Sequence, residues 1–285
     1  MKSSHETRSL PFVAGVAVQR YLAAEDGLTA AHEEGCSHWY IDASLLSDMP
    51  HNWSESRARN LVAAAAEHGL APLLHGNFRA PLASEIPEIQ AASLQYLRRE
   101  IDLAARLEAT ALIVHGGAFV EPRPTKAQRD AALERFLSLL SVVVREAGER
   151  GVTVWLENLS YYPKYRPFSY VFTRESDFAA ALAAIPGIRF ILDVGHANVN
   201  QSLAVPAFEQ FASSIAALSL SNNSGDQDAH LALDEGTLSM RAITDTIRAR
   251  DWKGIIAFET RNESVKAGID YLATLWEPGP RSGHR

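Results

Sequence analysis

The sequence predicts an α/β fold of one domain, a single closed (β/α)8 barrel. Three observations lead there. Short apolar segments rich in Val, Ile and Leu alternate with longer helical segments, the sign of parallel strands joined by crossover helices. The strand–helix unit recurs eight times along the 285 residues, at roughly 30 residues a unit, which is the spacing a closed barrel needs. No linker, low-complexity block or shift in composition divides the chain. A doubly wound open sheet is the alternative. The first strand is not followed by Gly-x-Gly-x-x-Gly, and the chain has no Gly-Lys-Ser/Thr loop, so nucleotide binding has no support. Residues 1–10 are expected to be a loose tail, 11–276 the barrel, and 277–285, rich in Pro, Gly and Arg, a second loose tail.

Each element has its own signal. Pro11 to Val18 is an apolar strand candidate, and the helix after it runs to Glu34 and stops at Gly35. Cys36 to Ile41 is the second strand, ending on Asp42; Ser54 to His68 is an Ala-rich helix stopped by Gly69. Leu70 to Leu74 is the third strand, ending on His75. Ala83 to Leu107 is a long helix with Leu94, Leu97, Ile101 and Ala105 at helical spacing. Thr110 to Val114 is the fourth strand, ending on His115, followed by a helix from Thr125 to Arg150 with Gly151 as its stop. Val152 to Leu156 is the fifth strand, ending on Glu157. Thr173 is the expected N-cap of a helix through Ala184. Ile188 to Leu192 is the sixth strand, ending on Asp193, with a helix near Phe208 to Ser214. Ala216 to Ser221 is the seventh strand, followed by a helix over Ser239 to Arg250. Gly254 to Phe258 is the eighth strand, ending on Glu259, and a last helix reaches about Leu275.

Bulk composition narrows the function classes. With 47% apolar and 21% charged residues the chain is an ordinary water-soluble type. The net charge of −7 and the absence of a Lys/Arg run weigh against a general grip on nucleic acid. Cys36 is the single cysteine, so no intrachain disulfide forms, and a reducing cytoplasm is the expected location. Met1 to Leu10 is polar and does not read as a signal peptide, and no apolar run is long enough to span a bilayer. The expected partner is a small molecule rather than a membrane; a homo-oligomer is left open.

In a (β/α)8 barrel the C-terminal ends of all strands meet at one face, where active sites sit. His75, His115, Glu157, Asp193 and Glu259 end strands there, His196 follows the sixth, and Asp228 and His230 share the loop after the seventh. One strand-end Asp is as easily the cap of the next helix, and His5, His32, His38, His51, His68 and His284 are ordinary histidines. The set is different. Carboxylates this crowded cannot all stay ionised without a cation, and mixed His/carboxylate donors suit Mn, Zn, Fe or Co better than calcium. The loop from Asn158 to Phe172 carries Tyr161, Tyr162, Tyr165 and Tyr170 with Lys164 and Arg166, either a lid over a polar ligand or aromatics packed on the rim. Arg79, Lys164, Arg166 and Asn222 are the expected substrate contacts.

The order His75, His115, Leu156-Glu157-Asn158, Leu192-Asp193-Val194-Gly195-His196, Asp228-Ala229-His230 through Gly236, and Phe258-Glu259 resembles the xylose isomerase-like TIM barrel superfamily. That group contains sugar isomerases and epimerases, inosose dehydratases and endonuclease IV-type nucleases. The resemblance covers most of the chain, from the third strand to the eighth. It implies that Glu157, Asp193 and Glu259 hold a catalytic metal, and that Glu157 and Glu259 exchange substrate protons. It implies a substrate oxygen or second metal at His196, while His75, His115, Asp228 and His230 match the extra ligands of the nuclease branch. One position departs: where the family commonly has a metal-binding His in the seventh strand, this chain reads Ser219-Leu220-Ser221-Asn222. The function that follows is a divalent-metal-dependent isomerase or epimerase of a small carbohydrate or polyol-derived keto compound, working by proton transfer through a metal-bound enediolate. The alternatives are an endonuclease IV-like phosphodiesterase, or a dehydratase or lyase on a related keto-polyol.

Overall fold

The computed structural model describes residues 13–16, 22–161, 167–201 and 204–276. Eight parallel strands close into a barrel: β1 (Val13–Val16), β2 (His38–Asp42), β3 (Ala71–His75), β4 (Ala111–His115), β6 (Val154–Glu157), β8 (Arg189–Asp193), β9 (Ile215–Leu220) and β10 (Ile255–Phe258). β1 pairs with both β2 and β10, which closes the ring. The predicted (β/α)8 barrel is therefore the fold.

Strand side chains alternate between two faces, and both faces are buried here. Trp39, Ile41, Leu74, Leu112, Val114, Leu156, Phe190, Leu192, Leu218, Leu220, Ile256 and Phe258 belong to the large core between sheet and helices. Tyr40, Leu73, Ala111, Ile113, Trp155, Ile191, Ala217, Ile255 and Ala257 form a separate cluster in the lumen. Each lumen residue thus fixes the direction of the residue two places further along its strand.

The outer ring is α1 (Ala24–Glu33), α2 (Glu55–His68), α3 (Pro87–Arg106), α4 (Lys126–Glu149), α5 (Glu175–Ala184), α6 (Val194–Val199), α7 (Ala204–Phe211), α8 (Met240–Ala249) and α9 (Val265–Trp276). α2 stops at Gly69 as expected, and α2 and α4 both begin on side-chain caps. Ser54 Oγ accepts the Arg57 N–H at 3.1 Å, and Gly69 ends the helix at φ 67. Thr125 and Gln128 form a capping box. The expected cap at Thr173 is one residue early. Arg174 is the N-cap, because the Asp177 carboxylate accepts the N–H groups of both Thr173 and Arg174 and sets the first turn there. The helix expected near 208–214 runs instead from Ala204 to Phe211, and β9 starts at Ile215. Two features carry no sequence signal that was read. One is α6, which begins directly on Asp193. The other is an antiparallel ribbon of β5 (Ala118–Phe119) with β7 (Ser169–Tyr170), which ties the loops after β4 and β6 together.

Candidate metal centre

The alternation that fills the lumen aims the next layer of side chains at the barrel mouth. Two residues beyond Tyr40, Leu73, Ile113, Trp155, Ile191, Ala217 and Ala257 stand Asp42, His75, His115, Glu157, Asp193, Ser219 and Glu259. Glu259 lies one residue past β10, where its N–H still donates to Leu220 O at 2.9 Å. Seven strands therefore deliver one polar side chain each to a single layer, and six of the seven are His or carboxylate.

On one flank the imidazoles of His75 and His115 meet with their Nε2 atoms 3.0 Å apart, and His115 Nε2 is 3.6 Å from Glu157 Oε1. Asp42 Oδ1 stands 3.8 Å from His75 Nδ1, an electrostatic contact rather than a hydrogen bond. Burial works against the charge on both groups, but their mutual attraction holds His75 up at about 9 and Asp42 down at about 2. His115 is pushed the other way, first by burial and then by the neighbouring charges of His75 and His196, so it stays a neutral donor.

The other flank is built from loops. Asp193 Oδ1 accepts the His196 N–H at 2.6 Å, so this carboxylate does cap the next helix while its Oδ2 faces His196 Nδ1 at 3.5 Å. His196 Nδ1 donates to the Asn158 carbonyl at 2.8 Å, and His230 Nδ1 donates to the Glu259 carbonyl at 2.9 Å. These bonds turn both Nε2 atoms toward Asp228 Oδ2, at 3.4 Å and 2.9 Å. Burial opposes charge here too, yet Asp193 and then Asp228 hold His196 above its ordinary range, Asp228 does the same for His230, and the two imidazoles hold Asp228 far below its own. His230 adopts a left-handed φ of 50, a conformation held by its side-chain bond and by Arg261 N–H donating to its carbonyl at 3.0 Å.

Between the flanks lie three acids. Burial raises the Glu157 carboxyl to about 8, with Glu259 and Asp193 adding to the shift, and raises Asp193 to about 6. Glu157 Oε2, Asp193 Oδ2 and Asp228 Oδ1 are buried with no hydrogen-bond partner among the described residues. An orphaned buried acceptor costs roughly 1–3 kcal/mol, more if ionised. A divalent cation removes that cost and supplies the missing charge. Two groups have single-ion spacing, with donors within 4.8 Å of one another: His75, His115 and Glu157, and Glu157, Asp193 and His196. The donor set thus fits a transition metal, with Glu157 common to both groups.

Not every expected contact is brought to the mouth. Asn222 is buried, and its amide is consumed inside the β9 loop. It donates to Leu233 O and Leu238 O and accepts from the N–H groups of Asn223 and Leu238. With no hydrogen-bonding capacity left over, it shapes the loop instead of contacting substrate. Arg79 lies at the rim, where Nη1 donates to Ser44 O at 3.0 Å and the guanidinium covers the Phe78 ring. Tyr162, Lys164, Tyr165 and Arg166 lie outside the described residues. Tyr170 is buried in the ribbon against Phe168, as rim packing requires, while Tyr161 is exposed under Arg129. Sequence reasoning missed Asp42, although the strand-end rule that found the others includes it. It also missed an asparagine frame. Asn158 exchanges two 2.9 Å bonds with the Asp193 backbone, and Asn223 donates to Gly195 O and accepts from Asn198 and Gly225.

Comparisons with known proteins agree with the barrel fold. A "Probable endonuclease 4" of Mycobacterium ulcerans is 25% identical over 262 residues, covering 88% of this chain and 96% of the relative. The structure of a D-tagatose 3-epimerase-like protein superposes with a TM-score of 0.77 at 19% identity, covering 93% of this chain and 97% of the other. That of 3-keto-D-glucoside 4-epimerase from E. coli gives 0.71 at 19% identity, over 93% and 98%. At these identities the two superpositions speak for the fold. The profile of the xylose isomerase-like TIM barrel family matches residues 28–275, nearly the whole barrel, and the chain belongs to that family.

Proposed function

We propose that this chain is a divalent-metal-dependent isomerase or epimerase of a small carbohydrate or polyol-derived keto compound. The observation that carries the reading is the pair Glu157 and Glu259. They reach one mouth from β6 and the end of β10, near enough for Glu259 to raise the Glu157 carboxyl, with Asp193 between them in the strand order. Glu157, Asp193, His196 and Glu259 would hold the cation, with His230 beside them. A cation bound there supplies Lewis acidity, which makes the proton next to a substrate carbonyl easier to remove.

The chain's own groups do the rest. Glu157, held near neutrality by burial, is matched to taking and returning a proton through its unpartnered Oε2. Glu259 serves the opposite face of the ligand, so removal by one acid and return by the other inverts or relocates a hydroxyl-bearing centre. His196, locked by the Asn158 carbonyl, fixes the orientation of a substrate oxygen or of the cation. The superposed structures are of an epimerase-like protein and a sugar epimerase, names that belong to this class of chemistry.

The test is NMR of ketoses, inososes and hydroxy-keto acids incubated with protein and manganese, zinc or cobalt in deuterated water. Deuterium should enter at the carbon α to the carbonyl, and Glu259→Gln should abolish its entry. Isomerised product without deuterium would indicate a hydride shift instead. A second reading has its own observation. Groups of donors flank the centre on both sides, His75 with His115 and Asp228 with His230, more than one proton-transfer site needs. That arrangement favours a phosphodiesterase, as the name of the mycobacterial relative suggests. Cleavage of an abasic-site oligonucleotide with no turnover on the panel decides for it.

A further inference from the structure

Two of the four mouth histidines have a hydrogen-bond partner at Nδ1: His196 donates to Asn158 O and His230 to Glu259 O. His75 Nδ1 makes no hydrogen bond among the described residues but faces the Asp42 carboxylate at 3.8 Å. In each case Nδ1 faces an acceptor outside the cluster and the ring presents Nε2 inward. His115 follows the same pattern at Nε2, which faces His75 and Glu157. Its Nδ1 is buried and has no partner among the described residues.

A second orphan lies nearby. Glu100 on α3 is fully buried, an unusual place for a carboxylate on a helix that packs against strands. Its Oε1 accepts the Asn77 N–H at 2.8 Å, two residues past His75. Its Oε2 has no partner among the described residues. Glu100 and His115 both line one small cavity, enclosed by Gly76, Leu97, Ile113 and Gly116, with room for about one water. Gly76 keeps that space open, since a Cβ there would lie 3.2 Å from Glu100 Oε2 and 2.5 Å from Ile113 O.

We propose that Glu100 is a positioning residue for His115: through a single enclosed water its Oε2 takes the Nδ1–H, leaving Nε2 as the inward donor. The water has an acceptor at Glu100, a donor at His115 and the carbonyl of Ile113 within the same walls, the polar surroundings a buried water requires. All four imidazoles are then oriented by one rule, and the acid is explained without being part of the mouth. The role at a cation rests on the metal reading; the water and its two partners do not.

The experiment uses the full chain in two arms. A crystal structure at a resolution showing ordered solvent should contain a water within hydrogen-bond distance of both Glu100 Oε2 and His115 Nδ1. A dry cavity, or a His115 ring turned to another acceptor, overturns the proposal. The second arm measures zinc affinity by chelator competition for Glu100→Gln, which keeps the acceptor for Asn77 N–H but replaces the outward oxygen with a donor. Affinity should fall about 10–100-fold, the usual range for a lost outer partner, with the melting temperature retained. In a His115→Ala background the same substitution should have no further effect on zinc. An equal loss in that background means that Glu100 acts only as a loop anchor, and the proposal fails. If the wild type binds no zinc, the metal reading falls and the crystallographic water alone decides for or against the relay.

Discussion

The two flanks of the mouth hold similar side chains by different means. His75, His115 and Glu157 are the last residues of β3, β4 and β6, and each is aimed by the alternation of a strand hydrogen-bonded on both sides. His196, Asp228 and His230 sit on a short helix and a loop; the two imidazoles are aimed by hydrogen bonds they donate to backbone carbonyls, and asparagine amides hold the surrounding loops. A ligand on a strand inherits its direction from the barrel. A ligand on a loop needs a dedicated frame, and that frame consumes buried polar groups. Asn158, Asn198, Asn222 and Asn223 are that frame, and all four are buried.

The largest effect is expected where the flanks meet. Glu157 belongs to both three-residue groups, so Glu157→Gln should empty the centre of metal altogether, which elemental analysis after purification without chelator reads directly. In metal-free protein the same change should stabilise. Glu157 titrates at about 8 when folded, against roughly 4.3 when unfolded. Between those values the unfolded chain has already released its proton, so metal-free wild type loses stability as pH rises from about 4.3 to 8. Thermal unfolding with chelator at pH 5 to 8 should show a shallower decline for Glu157→Gln. An identical slope would mean that the carboxyl is not held up by its surroundings.

Next in size is a change that separates the flanks. Asn223→Ala removes the bond to Gly195 O and the acceptor for Asn198 and Gly225. Stability should fall by roughly 1–3 kcal/mol, the cost of leaving buried groups unpaired. Metal affinity should fall too, because His196 follows Gly195 directly. Anomalous scattering should then show weaker occupancy beside His196 and Asp228, with occupancy beside His75 and His115 retained. Equal loss on both sides would mean that the flanks are not independently positioned.

The same contrast explains what could be read from sequence. His75, His115, Glu157, Asp193 and Glu259 were legible because an apolar run with a polar last residue is a local pattern, and the barrel turns local position into a shared face. Asn222 was misjudged because a polar residue beside a cluster looks the same whether it faces ligand or its own loop, and only the hydrogen bonds decide. Glu100 carried no warning, since it occupies one position in an amphipathic helix whose inner face is otherwise Leu97, Ile101 and Ala104. The frame of asparagines depends on contacts such as Asn198 with Asn223, Asn158 with His196 and Asn198 with Thr237, between residues 25 to 39 apart, which no periodicity encodes.

The smallest effect is expected at Ser219, the strand-borne position in the mouth layer that carries neither imidazole nor carboxylate. Its parity with Ala217 aims it at the mouth, and its register puts Asp193 on one side and Ala257 on the other. Its hydroxyl is fully buried and has no partner among the described residues. Ser219→His should therefore add a donor to the centre that Glu157 and Asp193 share. Its neighbours Ala217 and Ala257 are small, so the strain of overpacking, about 1–3 kcal/mol in a tight core, should fall at the low end here. Metal should bind about tenfold tighter, or about 1.4 kcal/mol, with a melting temperature of the metal-free protein within a few degrees of wild type. Titration with manganese and zinc, followed by thermal unfolding, reads both quantities. Weaker binding in a protein that still folds would mean that the position faces away from the donors. Failure to fold would mean that the lumen beside β9 is already full. Either result would leave the strand-borne layer one position short of what its alternation predicts.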